Sequence, residues 1–326
     1  MASAGEAGAL ELQVFLLLLW INIQIVEINP YIAIGSAIVG LLVGMTGAGG
    51  GALMTPMLIM VFGIKPSTAI SSDLVAAVLM KPVGAAVHLA HRTVNLALVG
   101  WLSLGSVPAA FAGAWFLHEL GATKNSEANI EIILGVTLLL GVAAMIWRSF
   151  LDRRSGERTL DADQIVVRPV ASILVGLIGG FLVGMTSVGS GSLMIVLLLF
   201  VYPAIRAKQL VGTDLAQAVP LTLAAAAGAL LFGHVEISLT LSVVIGAVPA
   251  VLVGSLFSSR APDAMIRPVI GFAVFASGLK YVGVPTVVLG WILLGVILFG
   301  GGGWLWWKKP WRADTVLTPD AEASAI

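Results

Sequence analysis

One glycine-rich segment occurs twice in this chain, and the duplication limits the folds that the chain can adopt. Residues 40–54 read GLLVGMTGAGGGALM and residues 180–194 read GFLVGMTSVGSGSLM, with ten of fifteen positions identical at a constant offset of 140. Because glycine costs about 1 kcal/mol in a helix interior, each copy predicts a break between two helices. Two breaks at matching positions predict two structural repeats with a binding site close to the breaks.

The composition predicts that these breaks lie within a membrane. Hydrophobic residues make up 59% of the 326 residues and charged residues only 10%, whereas soluble domains contain about 25% charged residues. The mean hydropathy is +1.04. In a bilayer, non-helical backbone is tolerated only where it is buried in protein or lines a cavity. We therefore expect an all-α polytopic membrane protein whose two breaks face its interior.

Apolar stretches of about 20 residues, the length that crosses a bilayer, divide the chain into six parts. Each repeat is expected to contain a re-entrant hairpin, over 31–62 or 169–202, followed by three transmembrane helices. With one extra helix at each end, the chain would have about eight spans. The parts are an N-terminal helix (1–30), a first repeat (31–148), a cytoplasmic linker (149–168), a second repeat (169–283), a C-terminal helix (284–307) and a cytoplasmic tail (308–326).

The number of spans and the positions of basic residues predict that the two repeats are inverted. Asp73 recurs as Asp214 at an offset of 141, so the duplication extends beyond the glycine-rich segment. Three spans in each repeat turn the second copy upside down. This topology keeps the arginine-rich linker and the lysine-containing tail in the cytoplasm, as the positive-inside rule requires. If each broken element were instead a full crossing, either the linker or the tail would lie outside the cell.

The two breaks predict an anion site near the middle of the membrane, where the second limbs of the hairpins begin as half-helices. A helix N-terminus carries unpaired N–H donors and about half a positive charge, which favours a small anion. The alternative is that the glycines only permit tight helix packing, which we expect for Gly40 and Gly44. The candidate substrate-binding residues at the breaks are Thr46, Gly47, Gly49, Gly50, Gly51, Thr186, Ser187, Gly189, Ser190, Gly191 and Ser192.

Lys81 is a charged residue near the middle of the apolar stretch 69–90. Its distance from either interface hinders snorkelling, and charges within a membrane commonly mark functional sites. We expect Lys81 to act as the counter-charge of an anionic substrate, and a structural ion pair with an unidentified acid is the alternative. The matching residue of the second repeat is Thr222, so this site would be asymmetric.

Three titratable side chains are candidates for coupling transport to a proton or a sodium ion. Asp73 and Asp214 occupy equivalent positions about one turn into their predicted spans. They could carry a coupling proton, or they could cap helix N-termini, because both follow a serine or threonine in sequences typical of helix starts. His88 lies on the same predicted helix as Lys81, near its cytoplasmic end, where it could relay protons or simply lie at the interface.

The sequence also excludes several classes of function. It contains no cysteine and only four histidines, which excludes disulfides, thiolate metal sites and cysteine catalysis. It contains neither an HExxH nor a GxSxG motif, and no P-loop for ATP. We therefore expect no enzymatic activity, no cofactor, no metal and no nucleic-acid partner. The expected partners are the lipid bilayer, a small anionic substrate and a coupling ion.

At the duplicated segments the chain resembles the sulfite exporter TauE/SafE family of integral membrane anion transporters. The resemblance rests on the pattern G-x-x-x-G-x-x-G-x-G-G-G-x-L-x-x-P, which begins at Gly40 and ends at Pro56. A weaker copy runs from Gly180 to Leu193, and Val196 replaces its proline. The resemblance implies movement of sulfite, or of an organosulfonate such as sulfoacetate, usually as export across the bacterial cytoplasmic (inner) membrane.

Two functions remain open at this point. The first is a secondary transporter that exports a small sulfur-containing anion by alternating access around a midplane site at the two broken helices. The second is an anion channel, in which the same donors would bind the ion weakly and conduct it. The rate and the saturation of transport would distinguish the two.

Overall fold

The computed structural model describes residues 27–46, 50–90, 93–121, 126–154, 166–203, 205, 207–257 and 263–298. Most of the predicted N-terminal helix and linker, the end of the predicted C-terminal helix and the tail lie outside these residues. The described residues form eleven α-helices, which are α1 (Pro30–Thr46), α2 (Gly51–Met60), α3 (Pro66–Ala90), α4 (Leu96–Gly121), α5 (Ser126–Arg154), α6 (Pro169–Thr186), α7 (Leu193–Val201), α8 (Ala207–Phe232), α9 (Ile237–Phe257), α10 (Asp263–Tyr281) and α11 (Thr286–Val296).

Six of these helices are long and apolar enough to cross a membrane, judged by length and composition. They are α3, α4, α5, α6, α8 and α9. One of the six is α6, which the sequence assigned to a re-entrant hairpin and not to a transmembrane span. The total of about eight spans therefore stays a prediction. The chain divides into two compact units, Met1–Gly283 and Val284–Ile326. Helices α1 to α10 belong to the first unit and α11 belongs to the second.

Each glycine-rich break joins two helices that fold back on each other as a hairpin. In the second hairpin, the Arg168 amide before α6 donates a 2.8 Å hydrogen bond to the hydroxyl oxygen of Tyr202, which follows α7. The same hydroxyl lies 2.7 Å from the Ser172 hydroxyl in the first turn of α6. In the first hairpin, the Phe62 ring after α2 lies against Gly35 of α1. The two ends of each hairpin therefore lie side by side.

Glycines bring helices from different halves of the chain into backbone contact. Helix α4 packs along α6, and α9 packs along α1. A Cβ atom built at Gly180 of α6 would lie 2.5 Å from the Ser106 carbonyl oxygen of α4. One built at Gly40 of α1 would lie 2.7 Å from the Ala247 carbonyl oxygen of α9, and Gly44 contacts α9 in the same way. The packing role predicted for Gly40 and Gly44 is confirmed, because small residues allow such close approach.

Helices α3 and α8, which carry the charged residues, pack against each other and run in opposite directions. Gly84 in the second half of α3 faces Leu215 in the first half of α8. Gly233, the residue after α8, faces Ser71 in the first half of α3. Between these two contacts, Lys81 lies opposite the middle of α8. The site described below is built around this crossing.

We predict that Gly105→Ala destabilises the fold and that Gly100→Ala, on the same helix α4, does not. A Cβ atom at Gly105 would collide with the Ile173 carbonyl group and lie 2.9 Å from the Leu177 amide nitrogen of α6. Around Gly100 nothing lies within 4 Å of such an atom. Forcing α4 and α6 apart should cost about 1–3 kcal/mol. Thermal unfolding of the purified variants in detergent measures the difference, and equal unfolding midpoints would contradict the backbone contact.

Candidate functional site

Three charged side chains are buried where α3 and α8 cross. Asp73 and Lys81 lie on α3 and are 1% and 8% exposed, and Asp214 lies on α8 and is 1% exposed. A charge away from water is costly, so such groups need each other or several hydrogen-bond partners. The negative charges of both aspartates act on Lys81. The structure thus brings together a lysine and two acids that the sequence separates by up to 141 residues.

Lys81 reaches the tip of the second hairpin. Its Nζ atom donates a 2.6 Å hydrogen bond to Ser190 Oγ. Ser190 and Gly191 lie in the segment between α6 and α7, just before the first turn of α7. The lysine ammonium group and the backbone N–H groups that begin α7 are all hydrogen-bond donors. The sequence predicted Lys81 and Ser190 as binding residues, and the structure places the two side chains in contact.

Asp73 connects both hairpins to α3. Its Oδ2 atom accepts hydrogen bonds from the Thr55 hydroxyl of α2 at 2.9 Å and from the Ser187 hydroxyl after α6 at 2.8 Å. Hydrogen bonds to a charged group are about twice as strong as neutral ones, so this carboxylate fixes both hairpins against α3. Sequence reasoning missed Thr55, because one threonine in an apolar helix carries no signal of its partner.

The tips of the two hairpins also touch each other. Gly51, the first residue of α2, packs against the Ser187 backbone, and a Cβ atom built on it would lie 2.9 Å from Ser187 Oγ and closer still to the carbonyl group. Gly50 lies next to the Met80 side chain, whose Cε atom would be 3.3 Å from an added Cβ atom. Gly50 and Gly51 therefore lie beside the second tip and the Lys81 region of α3.

The segment between α6 and α7 depends on left-handed backbone conformations. The φ angle is +59° at Ser187, +121° at Gly189 and +97° at Gly191. Glycine adopts such angles at little cost, whereas serine does so with strain. The hydrogen bond from Ser187 to Asp73 helps to hold this conformation. Ser192 directly precedes α7, and its hydroxyl oxygen lies against α5.

The hydroxyl groups of the two predicted threonines form hydrogen bonds within their own helices. Thr46 and Thr186 donate their hydroxyl protons to carbonyl oxygens four residues earlier in their own helices, both at 2.7 Å. A proton that is shared with a carbonyl oxygen is not offered to a ligand in this conformation. Gly47 and Gly49, also predicted at the first tip, lie outside the described residues.

The alternative in which Asp73 and Asp214 cap helix N-termini is wrong. Helix α3 begins at Pro66 and helix α8 at Ala207, each seven residues before its aspartate. A capping residue precedes the first turn and accepts hydrogen bonds from its amides, whereas these two carboxylates lie in helix interiors. The sequence placed the start of α3 too late, although proline at the first helical position is itself a favourable start.

Asp214 differs from Asp73 in its surroundings. Neither of its carboxylate oxygens accepts a hydrogen bond of regular geometry from the residues that the structure describes, although both are enclosed. The groups that act on its charge are Lys81, the backbone amide of Gly191 and Arg148 of α5. Sequence reasoning did not single out Arg148, because an arginine at the end of an apolar stretch has the pattern of an interfacial anchor.

His88 lies near the end of α3, on the same side of the crossing as Asp214. Its Nδ1 atom is 3.0 Å from the Thr93 hydroxyl oxygen. It also lies against Gly212, two residues before Asp214 on α8. His88 therefore lies near Asp214 at the contact between α3 and α8, whereas Asp73 bonds to the two hairpins.

We predict that Ser187→Ala destabilises the protein more than Ser187→Gly does. Both variants lose the hydrogen bond to Asp73, which should cost about 1.5–3 kcal/mol for a charged acceptor. Glycine also relieves the left-handed strain and so recovers about 1 kcal/mol. Thermal unfolding of the two variants against the wild type measures both contributions. An alanine variant as stable as the wild type would contradict the bond from Ser187 to Asp73.

The chain is similar to known membrane transporters. The family model "Sulfite exporter TauE/SafE" matches residues 32–281. "Probable membrane transporter protein YjnA" of Bacillus subtilis (strain 168) is 38% identical over 245 residues, which are 75% of this chain and 96% of the relative. "Probable membrane transporter protein YdhB" of the same organism is 24% identical over 243 residues, 74% of this chain and 95% of the relative. No solved structure matches the chain. The resemblance at the glycine-rich segments is thus confirmed, and this chain, a multi-pass membrane protein, belongs to the sulfite exporter TauE/SafE family.

Proposed function

We propose that this protein is a secondary transporter that exports a small sulfur-containing anion, sulfite or an organosulfonate such as sulfoacetate, across the bacterial cytoplasmic membrane. The observation that carries the proposal is the buried hydrogen bond from Lys81 to Ser190 at the tip of the second hairpin. The name of the matched family supports sulfite as substrate. The names of the relatives in Bacillus subtilis support a membrane transporter and not an enzyme.

The chemistry of the site supports an anionic substrate. A sulfite ion or a sulfonate group presents three oxygen atoms that accept hydrogen bonds and share negative charge. Lys81 offers a positive charge, Ser190 offers a hydroxyl group, and the start of α7 offers backbone N–H groups with the positive end of a helix dipole. The first hairpin brings the start of α2 to the same place, because Gly51 packs against Ser187. The substrate would bind between the two tips.

The pairing of helices supports an inverted repeat. At the start of α4, the Asn95 amide donates a 3.2 Å hydrogen bond to Thr213 Oγ1. At the start of α9, the Glu236 amide, 141 residues later, donates to Ser72 Oγ at the same distance. Helices α3 and α8 are counterparts in the two halves and run in opposite directions, as a two-fold axis in the membrane plane demands. We propose that the two hairpins enter the membrane from opposite faces.

The burial of the site supports alternating access over an open channel. Asp73, Lys81 and Asp214 are all at most 8% exposed in this conformation, whereas a conducting channel keeps its charged ligands in contact with water. An anion would reach Lys81 only after a hairpin tip moves away from α3. A transporter of this kind takes its driving force from ion gradients, with a proton or a sodium ion as the coupling ion.

We predict that anions carrying a sulfur-bound oxygen group stabilise the purified protein, and that Lys81→Met abolishes this effect. Sulfite, sulfoacetate, methanesulfonate, sulfate and chloride are compared by thermal unfolding in detergent. A ligand at about 100 times its dissociation constant stabilises a protein by roughly 2.7 kcal/mol, which is readily measured. The Lys81→Met variant keeps an apolar chain of similar length but loses the charge that would bind the anion.

The matched control for this experiment is Lys65→Met, which removes an exposed lysine between α2 and α3. This variant should respond to anions as the wild type does. Size-exclusion chromatography establishes that the Lys81 variant is folded before its response is compared. A wild type that no anion stabilises would contradict the proposed site. Anion flux through proteoliposomes that does not saturate would favour the channel instead.

A further inference from the structure

The two aspartates that correspond in the two halves are not equivalent in their surroundings. Asp73 accepts two hydroxyl hydrogen bonds on one carboxylate oxygen. Asp214 is equally buried but accepts none of regular geometry from the described residues. Burying a carboxylate without hydrogen bonds is costly, and the cost falls to that of a neutral group when the carboxylate binds a proton. The charge of Asp73 is thus stabilised by two hydroxyl donors, whereas the charge of Asp214 depends on Lys81, Arg148 and the Gly191 amide.

The described groups around Asp214 stabilise its ionised form and provide no set of oxygen ligands for a metal cation. On α3 it faces Lys81, with Asp73 further along the same helix. The backbone amide of Gly191 and the guanidinium group of Arg148 complete the groups that act on its charge. These are hydrogen-bond donors or positive charges, whereas sodium needs several oxygen ligands. A proton needs only one carboxylate oxygen.

The other titratable groups near Asp214 are few. His88 of α3 lies against Gly212 on the helix of Asp214. Helices α6 and α7 contribute none, because their sequences contain no titratable residue. On α4, His118 lies at the far end of α8, beside Phe232. His88 is therefore the group that an experiment must distinguish from Asp214.

The sum of charges at the site relates proton binding to anion binding. Lys81 and Arg148 carry two positive charges, and Asp73 and Asp214 carry two negative charges when both are ionised. A monoanion that binds Lys81 would leave the buried site with a net negative charge, and it would lie close to the carboxylate of Asp214. One proton on Asp214 restores a total of zero and removes this repulsion.

We propose that Asp214 binds one proton with each monovalent anion, so that the protein moves the anion and the proton together without net charge. The inference rests on the proposed function and adds the coupling ion, its site and its stoichiometry. The proton enters from the same side as the anion, is held on a carboxylate oxygen of Asp214, and leaves with the anion on the other side. Export would then be driven by the outward anion gradient and opposed by a more acidic exterior, and it would not depend on the membrane potential.

The test measures proton uptake when an anion of fixed charge binds. Methanesulfonate is added to the full-length protein in weakly buffered detergent solution containing a pH-indicator dye. The wild type should take up about one proton for each anion bound. By linkage, the affinity should fall up to about tenfold for each unit of pH above the titration range of Asp214. Asp214→Asn, which imitates the protonated side chain, should bind the anion without proton uptake and without dependence on pH.

The matched control is His88→Gln, which should retain the proton uptake of the wild type. Anion binding by the wild type with no proton uptake would overturn the inference and leave the proposed function in place. Proton uptake that persists in Asp214→Asn, or that is lost in His88→Gln, would also overturn it. A wild type that binds no anion would overturn the proposed function and this inference together. If Asp214→Asn does not fold, the pH dependence of the wild-type affinity for the anion still tests the inference. An affinity that does not change with pH would exclude coupled proton binding.

Discussion

The cost of burying charge determines how the central elements are arranged. Helix α3 carries Asp73 and Lys81 away from water, so each must find partners on other elements. The partners come from the first hairpin through Thr55, from the second through Ser187 and Ser190, and from α8 through Asp214. Neither hairpin tip can leave α3 without breaking a hydrogen bond to a buried charge. Of these bonds, only the one from Lys81 to Ser190 could be replaced by the proposed anion, because an anion accepts a hydrogen bond from Lys81 but cannot donate one to Asp73.

The glycine contacts impose a second constraint, which decides what can move together. The first limb of each hairpin packs backbone to backbone against a helix of the other half, α1 against α9 and α6 against α4. Such contacts have a close steric fit and few polar groups. Separating the two helices would lose the dispersion energy of the contact, and no new hydrogen bond would compensate for the loss. In the proposed alternating-access motion, each hairpin would move with its partner helix, while the polar contacts at α3 break and form again.

Much of this arrangement was predictable from the sequence, because the duplicated glycines mark both breaks and Lys81 is conspicuous in an apolar stretch. The contacts of the site were less accessible. Thr55 was missed because its importance comes from a hydrogen bond to Asp73, and Arg148 because its charge acts on Asp214, and both aspartates are distant from them in the chain. The capping role of the aspartates was wrong because α3 and α8 begin earlier than predicted, so residues that resemble a helix start lie in its interior.

The departure from symmetry at Lys81 follows from its position. Lys81 lies opposite the middle of α8, the region that contains its counterpart Thr222. A lysine at both positions would bury two positive charges at one crossing, where like charges repel strongly at a low effective dielectric constant. Thr222 instead donates its hydroxyl proton to the Ala218 carbonyl oxygen and stays neutral. The two halves must therefore differ at this position if the crossing is to contain one lysine and not two. The same divergence leaves Asp214 beside a lysine that belongs to the other half.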